Sequence, residues 1–337
     1  MSTNHAPTSV AAFQYDAFGL RIEANHDVPG LTPAVTFGTP DVRVWLGSVP
    51  PEFSTHDQIS NASRMNGVEP DESCESWVTV WTHEDFFRLR YTDETEFFVD
   101  RSGAQIWAIW PRQLTLADTA TYLLGPIMNV VLRLRGTISL HASAVRVGDV
   151  AIAFVGPEGA GKSTTAASFA MAGYPVLTDD IAAIGDGGVV FHIIPAYPRI
   201  RLWPKSVEML FGSAEALPRL TPGWEKRYLQ LDSISHRFEP EPVPLAAIYF
   251  LHPRSTDLST PAIDEEPKRD AMVKLIGNIG GNYILDHVAP ATSFDLLQRL
   301  AQFVPLRRLV PRSDPAYLPQ LRDMVVTDLK KLQVFPF

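Results

Sequence analysis

The octet Gly156-Pro157-Glu158-Gly159-Ala160-Gly161-Lys162-Ser163 satisfies G-x-x-x-x-G-K-[ST], and its flanks make it a constraint on the fold. It follows the apolar run Val150-Ala151-Ile152-Ala153-Phe154-Val155 and precedes an Ala-rich helical segment, so the chain reads strand, glycine turn, helix. Three glycines let successive backbone N–H groups converge on phosphate oxygens without Cβ obstruction, and the helix adds the positive end of its dipole. Residues Gly156 through Thr164 are therefore expected to hold a nucleotide, with Lys162 reaching the β- and γ-phosphates and the Ser163 hydroxyl as a Mg²⁺ ligand.

With 337 residues, 45% hydrophobic and 20% charged, the chain can bury a large core and is long enough for two domains. A formal net charge of -9 argues against nonspecific nucleic-acid binding, because no excess of Lys and Arg is available to displace counterions. The single cysteine, Cys74, lies among Asp71, Glu72 and Glu75, whose charges disfavour the thiolate and make it a poor nucleophile. No internal disulfide can form, and the opening residues lack a basic, then apolar, leader; a cytoplasmic enzyme is the expectation. No membrane span is expected either, since the longest apolar run, Tyr122 to Leu134, is broken by Gly125, Pro126, Asn129 and Arg133.

The first hundred or so residues read as short strands at 18–22, 42–46, 77–81, 87–91 and 96–100, punctuated by Pro, Gly and Asp. Trp77, Trp81, Phe86 and Phe87 read as core of that region rather than as a peptide groove. A helical pattern then runs from Asp118 to Arg135, with Thr115 or Asp118 as N-cap, Gly136 as the stop and Gly125-Pro126 as a kink. From Thr137 onward strands and helices alternate. The reading is an α/β (α+β) chain: a β-rich N-terminal domain over 1–115, then a phosphate-loop catalytic domain over 116–337 with a helical C-terminal segment. Residues 240–244 and 255–267 read as surface loops.

Two features flank the loop. Ser139 to Val145 reads as a strand joined through a Gly148-Asp149 turn to the phosphate strand, which would hold His141 alongside it. After a helix ending at Gly173, the strand Tyr174 to Thr178 delivers Asp179-Asp180. Adjacent carboxylates beside a triphosphate can divide the work, one binding Mg²⁺ and one taking a proton from an attacking hydroxyl.

The block from Leu140-His141-Ala142-Ser143-Ala144-Val145 through the octet to Gly173-Tyr174-Pro175-Val176-Leu177-Thr178-Asp179-Asp180 resembles the C-terminal catalytic domain of HPr kinase/phosphorylase. His141 precedes Gly156 by fifteen residues and Asp179 follows Lys162 by seventeen, an arrangement similar to that family's. The resemblance implies a phosphoenolpyruvate-carboxykinase-like fold, ATP and Mg²⁺ as cofactors, Asp179 as catalytic base, Asp180 as a magnesium-associated carboxylate and His141 as a residue lining the site. It stops after the aspartates, where the family's glycine-rich signature is replaced by Pro195 to Pro204. Tyr15 to Leu20, Pro29-Gly30-Leu31 and Glu225 to Leu229 look instead like HPr-kinase-related proteins of peptide maturation, some similar to lasso-peptide precursor kinases that act on a C-terminal serine.

Arg199, Arg201, Lys226 and Arg227 could cover phosphoryl oxygens or hold a peptide carboxylate, and alternation puts Arg199 and Arg201 on one strand face. The same residues suit a solvated face or ion pairs equally well. The expected activity is an ATP- and Mg²⁺-dependent serine kinase for a peptide or small protein, with Lys162, His141 and Asp179 at the reacting centre. An HPr-type kinase/phosphorylase, a phosphate-loop ATPase and a nucleotide-binding sensor stay open, as does homo-oligomer formation.

Overall fold

The computed structural model describes residues 12–53, 63–65, 77–232, 234–257, 259–281 and 292–332; Cys74, its acidic neighbours and the first eleven residues lie outside these. The chain is mixed α/β and divides into two compact units, Met1–Arg135 and Gly136–Phe337. The division falls after residue 135 instead of near 115, because the helical segment packs on the first unit's strands. Tyr122 donates its hydroxyl to Asp93 at 2.8 Å and stacks on Tyr91 with ring centroids 4.1 Å apart. Among the described residues no helix is long and apolar enough to cross a membrane.

Among the described residues the first unit holds one sheet of eight strands: β1 (Phe13–Ala17), β2 (Leu20–Ala24), β3 (Val42–Leu46), β4 (Ser63–Met65), β5 (Val78–Thr82), β6 (Phe86–Tyr91), β7 (Glu96–Asp100) and β8 (Gln105–Ile109). Their order is β1-β2-β3-β8-β7-β6-β5-β4, parallel only across β2–β3 and β3–β8. The expected strand over 18–22 is corrected to a hairpin, since Phe18 and Gly19 both have positive φ and turn β1 into β2. Phe in place of the usual Asn or Asp hides that turn in the sequence; burial of its ring, 1% exposed, offsets the strained backbone. Phe86 and Phe87 are core, whereas Trp77 is 49% exposed. Helix α1 (Leu116–Tyr122) starts in a capping box between Thr115 and Asp118, and a π-turn at Gly125-Pro126 kinks it into α2 (Met128–Leu134).

The second unit begins with β9 (Ser139–Val147) and β10 (Val150–Val155), joined at Gly148 and followed by helix α3 (Lys162–Met171). Next come β11 (Val176–Thr178), β12 (Ile181–Gly187), β13 (Val190–Ile194), β14 (Arg199–Leu202), helix α4 (Pro204–Phe211), β15 (Arg227–Gln230) and β16 (Val243–Leu251). The chain continues with β17 (Ala262–Glu265), α5 (Lys268–Gly277), α6 (Thr292–Phe303), β18 (Leu306–Val310) and α7 (Leu318–Lys331). The expected loops over 240–244 and 255–267 are each cut by a strand, β16 and β17; short polar edge strands such as Ala262–Glu265 carry too little apolar alternation to be seen.

β10 pairs antiparallel with β9 and parallel with β16, and β9, β12, β13 and β16 pair in succession, so the pairings close into a ring from which β18 and β17 extend. β10 is buried on both faces, which explains its unbroken apolar run. Ile152 and Phe154 join the core with α3 and α7, while Ala151, Ala153 and Val155 join the one with α5 and α6. The glycine-rich loop is thus rooted between two packed layers.

Candidate functional site

The loop leaves β10 at Gly156, where an added Cβ would come within 3.2 Å of the Leu251 carbonyl oxygen, so a larger residue there would have to push β16 back by a few tenths of an ångström. Gly161 has φ of 106° and caps α3, so the next residues, Lys162 and Ser163, open the helix. Lys162 is 6% exposed and its Nζ donates to the carbonyls of Gly156 at 2.6 Å and Pro157 at 3.0 Å. Burial pulls its pKa down, against the opposing charges of Asp180 and Asp179.

His141 stands one residue before the β9–β10 ladder, which ends at Ala142 opposite Val155, so the backbone register brings it to the mouth of the loop. β12 pairs with the same end of β9, Ile181 opposite His141, and the turn before β12 carries the two aspartates. Asp180 has φ of 77°, a left-handed conformation that costs a non-glycine residue on the order of 1 kcal/mol. That twist sends adjacent carboxylates to different environments. Asp179 is 3% exposed and accepts from the Ser143 hydroxyl at 2.7 Å and the Arg201 backbone N–H at 2.8 Å. Asp180 opens to the cleft, with His141 Nε2 3.1 Å from Oδ1 and Arg201 Nη1 3.7 Å from Oδ2.

The two acids are pushed apart electrostatically. Burial, helped by the Asp180 charge, raises the Asp179 pKa despite hydrogen bonds from Ser143, the Arg201 N–H and Ser163. Burial also works to raise Asp180, but the His141 hydrogen bond and the charges of Arg201, His141 and Lys226 prevail and hold it well below the usual carboxylate range. One group is a stronger base than an ordinary carboxylate and the other a fixed anion.

These residues line one open cleft with Glu158, Gly159, Gly161, Thr164, Leu202, Trp203, Ser206, Lys226 and Arg254. Lys162, Arg201, Lys226 and Arg254 give it four formal cations against the three carboxylates Glu158, Asp179 and Asp180, a balance suited to an anion. Among the described residues, no group of three or more His, Cys, Asp or Glu side chains could hold a metal by itself. The hard-oxygen pair Ser163 and Asp180 fits the few-ligand role that Mg²⁺ takes beside a polyphosphate.

The expected basic set divides. Arg201 and Lys226 reach the cleft, Lys226 lying 4.7 Å over the Trp203 ring. Arg199 and Arg227 do not line it. Arg199 shares a strand face with Arg201, yet it donates to Gln230 and lies 4.1 Å over Tyr228, where burial lowers its pKa. Arg227 is 2% exposed, bonded to Glu215 at 2.5 Å and to the Glu225 carbonyl. Arg227→Ala should therefore cost about 2 kcal/mol of stability, read as a melting temperature lower by several degrees, whereas Lys226→Ala should leave melting unchanged and slow turnover. The reverse pattern in thermal melts and rates would move Arg227 into the site.

Sequence reasoning missed Arg254, Trp203 and Ser206. Arg254 follows β16, the parallel neighbour of β10, and its guanidinium comes within 3.1 Å of where a Gly161 Cβ would stand. A basic residue just past a second long apolar strand was the available signal, since ligands gather at the carboxyl ends of parallel strands.

No family model and no curated protein matches the chain. Among solved structures it is similar to the Hpr(Ser) kinase/phosphatase from Coxiella burnetii, at 9% identity and a TM-score of 0.29, over 57% of this chain and 97% of that one. A likeness so distant carries neither fold nor chemistry across.

Proposed function

We propose that the second unit is an ATP- and Mg²⁺-dependent kinase that phosphorylates a serine hydroxyl of a peptide or small protein. The observation that carries this reading is the acid pair: a buried carboxylate of raised basicity and a fixed anion, side by side in the cleft that holds Lys162 and the loop glycines. The loop N–H groups and Lys162 bind the phosphates, Arg201, Lys226 and Arg254 cover the charge on the transferring group, and Ser163 with Asp180 holds the metal. Bound Mg²⁺ would neutralise phosphate charge as transfer proceeds. Asp179 accepts from Ser143, the Arg201 N–H and Ser163, which leaves one of the roughly four lone-pair sites of a carboxylate to take the serine proton. His141 holds Asp180 in place.

A second reading exchanges the two acids. It is favoured by the 38% side-chain exposure of Asp180 and by the hydrogen bond of Ser163 to Asp179. With this function goes a phosphoenolpyruvate-carboxykinase-like core; the antiparallel neighbour of β10 supports that reading only in that it sets the loop outside a fully parallel sheet.

For the acceptor, the cations Arg201 and Lys226 support a peptide ending in carboxylate, with serine at or near its C-terminus. Incubation with ATP and either a Ser-terminated peptide or HPr, followed by mass spectrometry, should give phosphate on the peptide. Amidating the peptide's C-terminus should slow transfer about tenfold, as loss of a charge-assisted bond does. Transfer to HPr alone, or indifference to amidation, rejects this acceptor; free phosphate without any acceptor points to an ATPase.

A further inference from the structure

β10, β16 and β18 are mutually parallel in sequence, Val155 beside Phe250 and Leu251 beside Leu309, so three strands end at the same edge. The segments that follow β16 and β18 are tied together beyond that edge. His252 donates its backbone N–H to Leu309 at 2.9 Å, Ser255 to Pro311 at 2.9 Å, and Ser313 back to Ser255 at 2.8 Å. Arg254 and Arg312 are thereby fixed on adjoining loops beside the phosphate loop.

A shallow recess lies there, sharing Gly161, Thr164 and Arg254 with the catalytic cleft but lined by none of His141, Asp179 or Asp180. Its remaining wall includes Thr165, Met209, Pro311, Arg312, Ser313 and Leu318. Arg312 holds its guanidinium 3.9 Å over the Tyr317 ring, and Tyr317 itself does not line the recess, so the ring backs a planar cation that forms part of the wall. Apolar side chains, a hydroxyl and a planar cation together suit a flat heterocycle carrying a ribose, and Arg planes stack well on bases.

We propose that the nucleoside end of a nucleoside triphosphate lies over the open face of this shallow, acid-free recess, with Arg312 as the stacking platform and Arg254 spanning from the nucleoside side to the phosphates. The proposal rests on the phosphate-loop reading above. The first turn of α3 then divides the ligand: Lys162, Ser163 and the acids face the reacting end, and Thr165 faces the nucleoside. The loop after β18, which has no phosphate-binding signature, would supply the base contact.

Calorimetric titration of the full chain with Mg·ATP and with Mg·tripolyphosphate separates nucleoside from phosphate binding. Arg312→Ala should weaken ATP about five- to tenfold and leave tripolyphosphate within about twofold, the scale of a lost cation–π stack. Arg312→Lys keeps the charge and not the plane, so ATP should stay weakened in it while the fold is preserved. Equal weakening of both ligands by Arg312→Ala, unchanged ATP binding, or full recovery in Arg312→Lys would overturn the assignment. A wild-type chain that binds tripolyphosphate as tightly as ATP overturns the recess while keeping the phosphate site; one that binds neither overturns the phosphate-loop reading itself.

Discussion

Lys162→Ala should lose phosphoryl transfer by a factor on the order of 10³ or more while remaining folded. Lys162 is the loop's own cation, buried to 6% exposure with its Nζ on the loop carbonyls of Gly156 and Pro157. Its replacement removes the cation proposed to meet the β- and γ-phosphates, a preorganised donor of the kind whose loss is costly in the transition state. The fold should tolerate the change. Burial lowers the Lys162 pKa despite two nearby carboxylates, so at neutral pH the protonated amine costs folding free energy on balance. A residue held at a cost to stability and next to a built anion cleft is the pattern of a functional side chain. Circular-dichroism melts within a few degrees of wild type, with transfer lost, are the expected pair of results. A folded variant with near-wild-type turnover removes the phosphate-loop assignment.

What was legible in the sequence follows from what is local. The loop, its flanking strand and its helix lie within about two dozen consecutive residues, and periodicity with glycine spacing suffices to read them. The Thr115 cap and the Gly125-Pro126 kink are equally local, and each sits where its side-chain chemistry demands. Arg254 and Arg312 are distant from the octet in sequence and reach it only because β16 runs parallel beside β10 and β18 parallel beside β16. No spacing rule encodes a strand order. The separation of Arg201 from Arg199 is a tertiary effect of the same kind: alternation places both on one face, but Asp180 lies near one and Tyr228 near the other. The domain boundary was misplaced for a related reason, since the helical segment owes its allegiance to Asp93 and Tyr91, contacts invisible to composition.

Asp179→Asn and Asp180→Asn should fail in different ways, and the difference decides which acid does what. Asparagine keeps the size of aspartate, and at position 179 its oxygen can still accept from Ser143 or from the Arg201 N–H, so the turn should persist. It cannot take a proton at neutral pH. If Asp179 is the base, Mg·ATP affinity should change less than about threefold while transfer falls by on the order of 10²–10⁴, the usual worth of general base catalysis. At position 180 the loss is of a fixed anion that His141 and Arg201 both face. Asp180→Asn should therefore raise the Mg²⁺ concentration needed for half-maximal activity about tenfold, with transfer largely restored at high Mg²⁺. Restoration of that kind distinguishes a weakened metal ligand from a missing base, which no metal concentration can replace. Should Mg²⁺ rescue Asp179→Asn and leave Asp180→Asn inactive, the exchanged assignment holds, in line with the Ser163 hydrogen bond to Asp179. Equal loss of ATP binding in both variants would instead mean that the pair acts as a single structural unit at the loop, with the left-handed turn at Asp180 serving shape rather than chemistry.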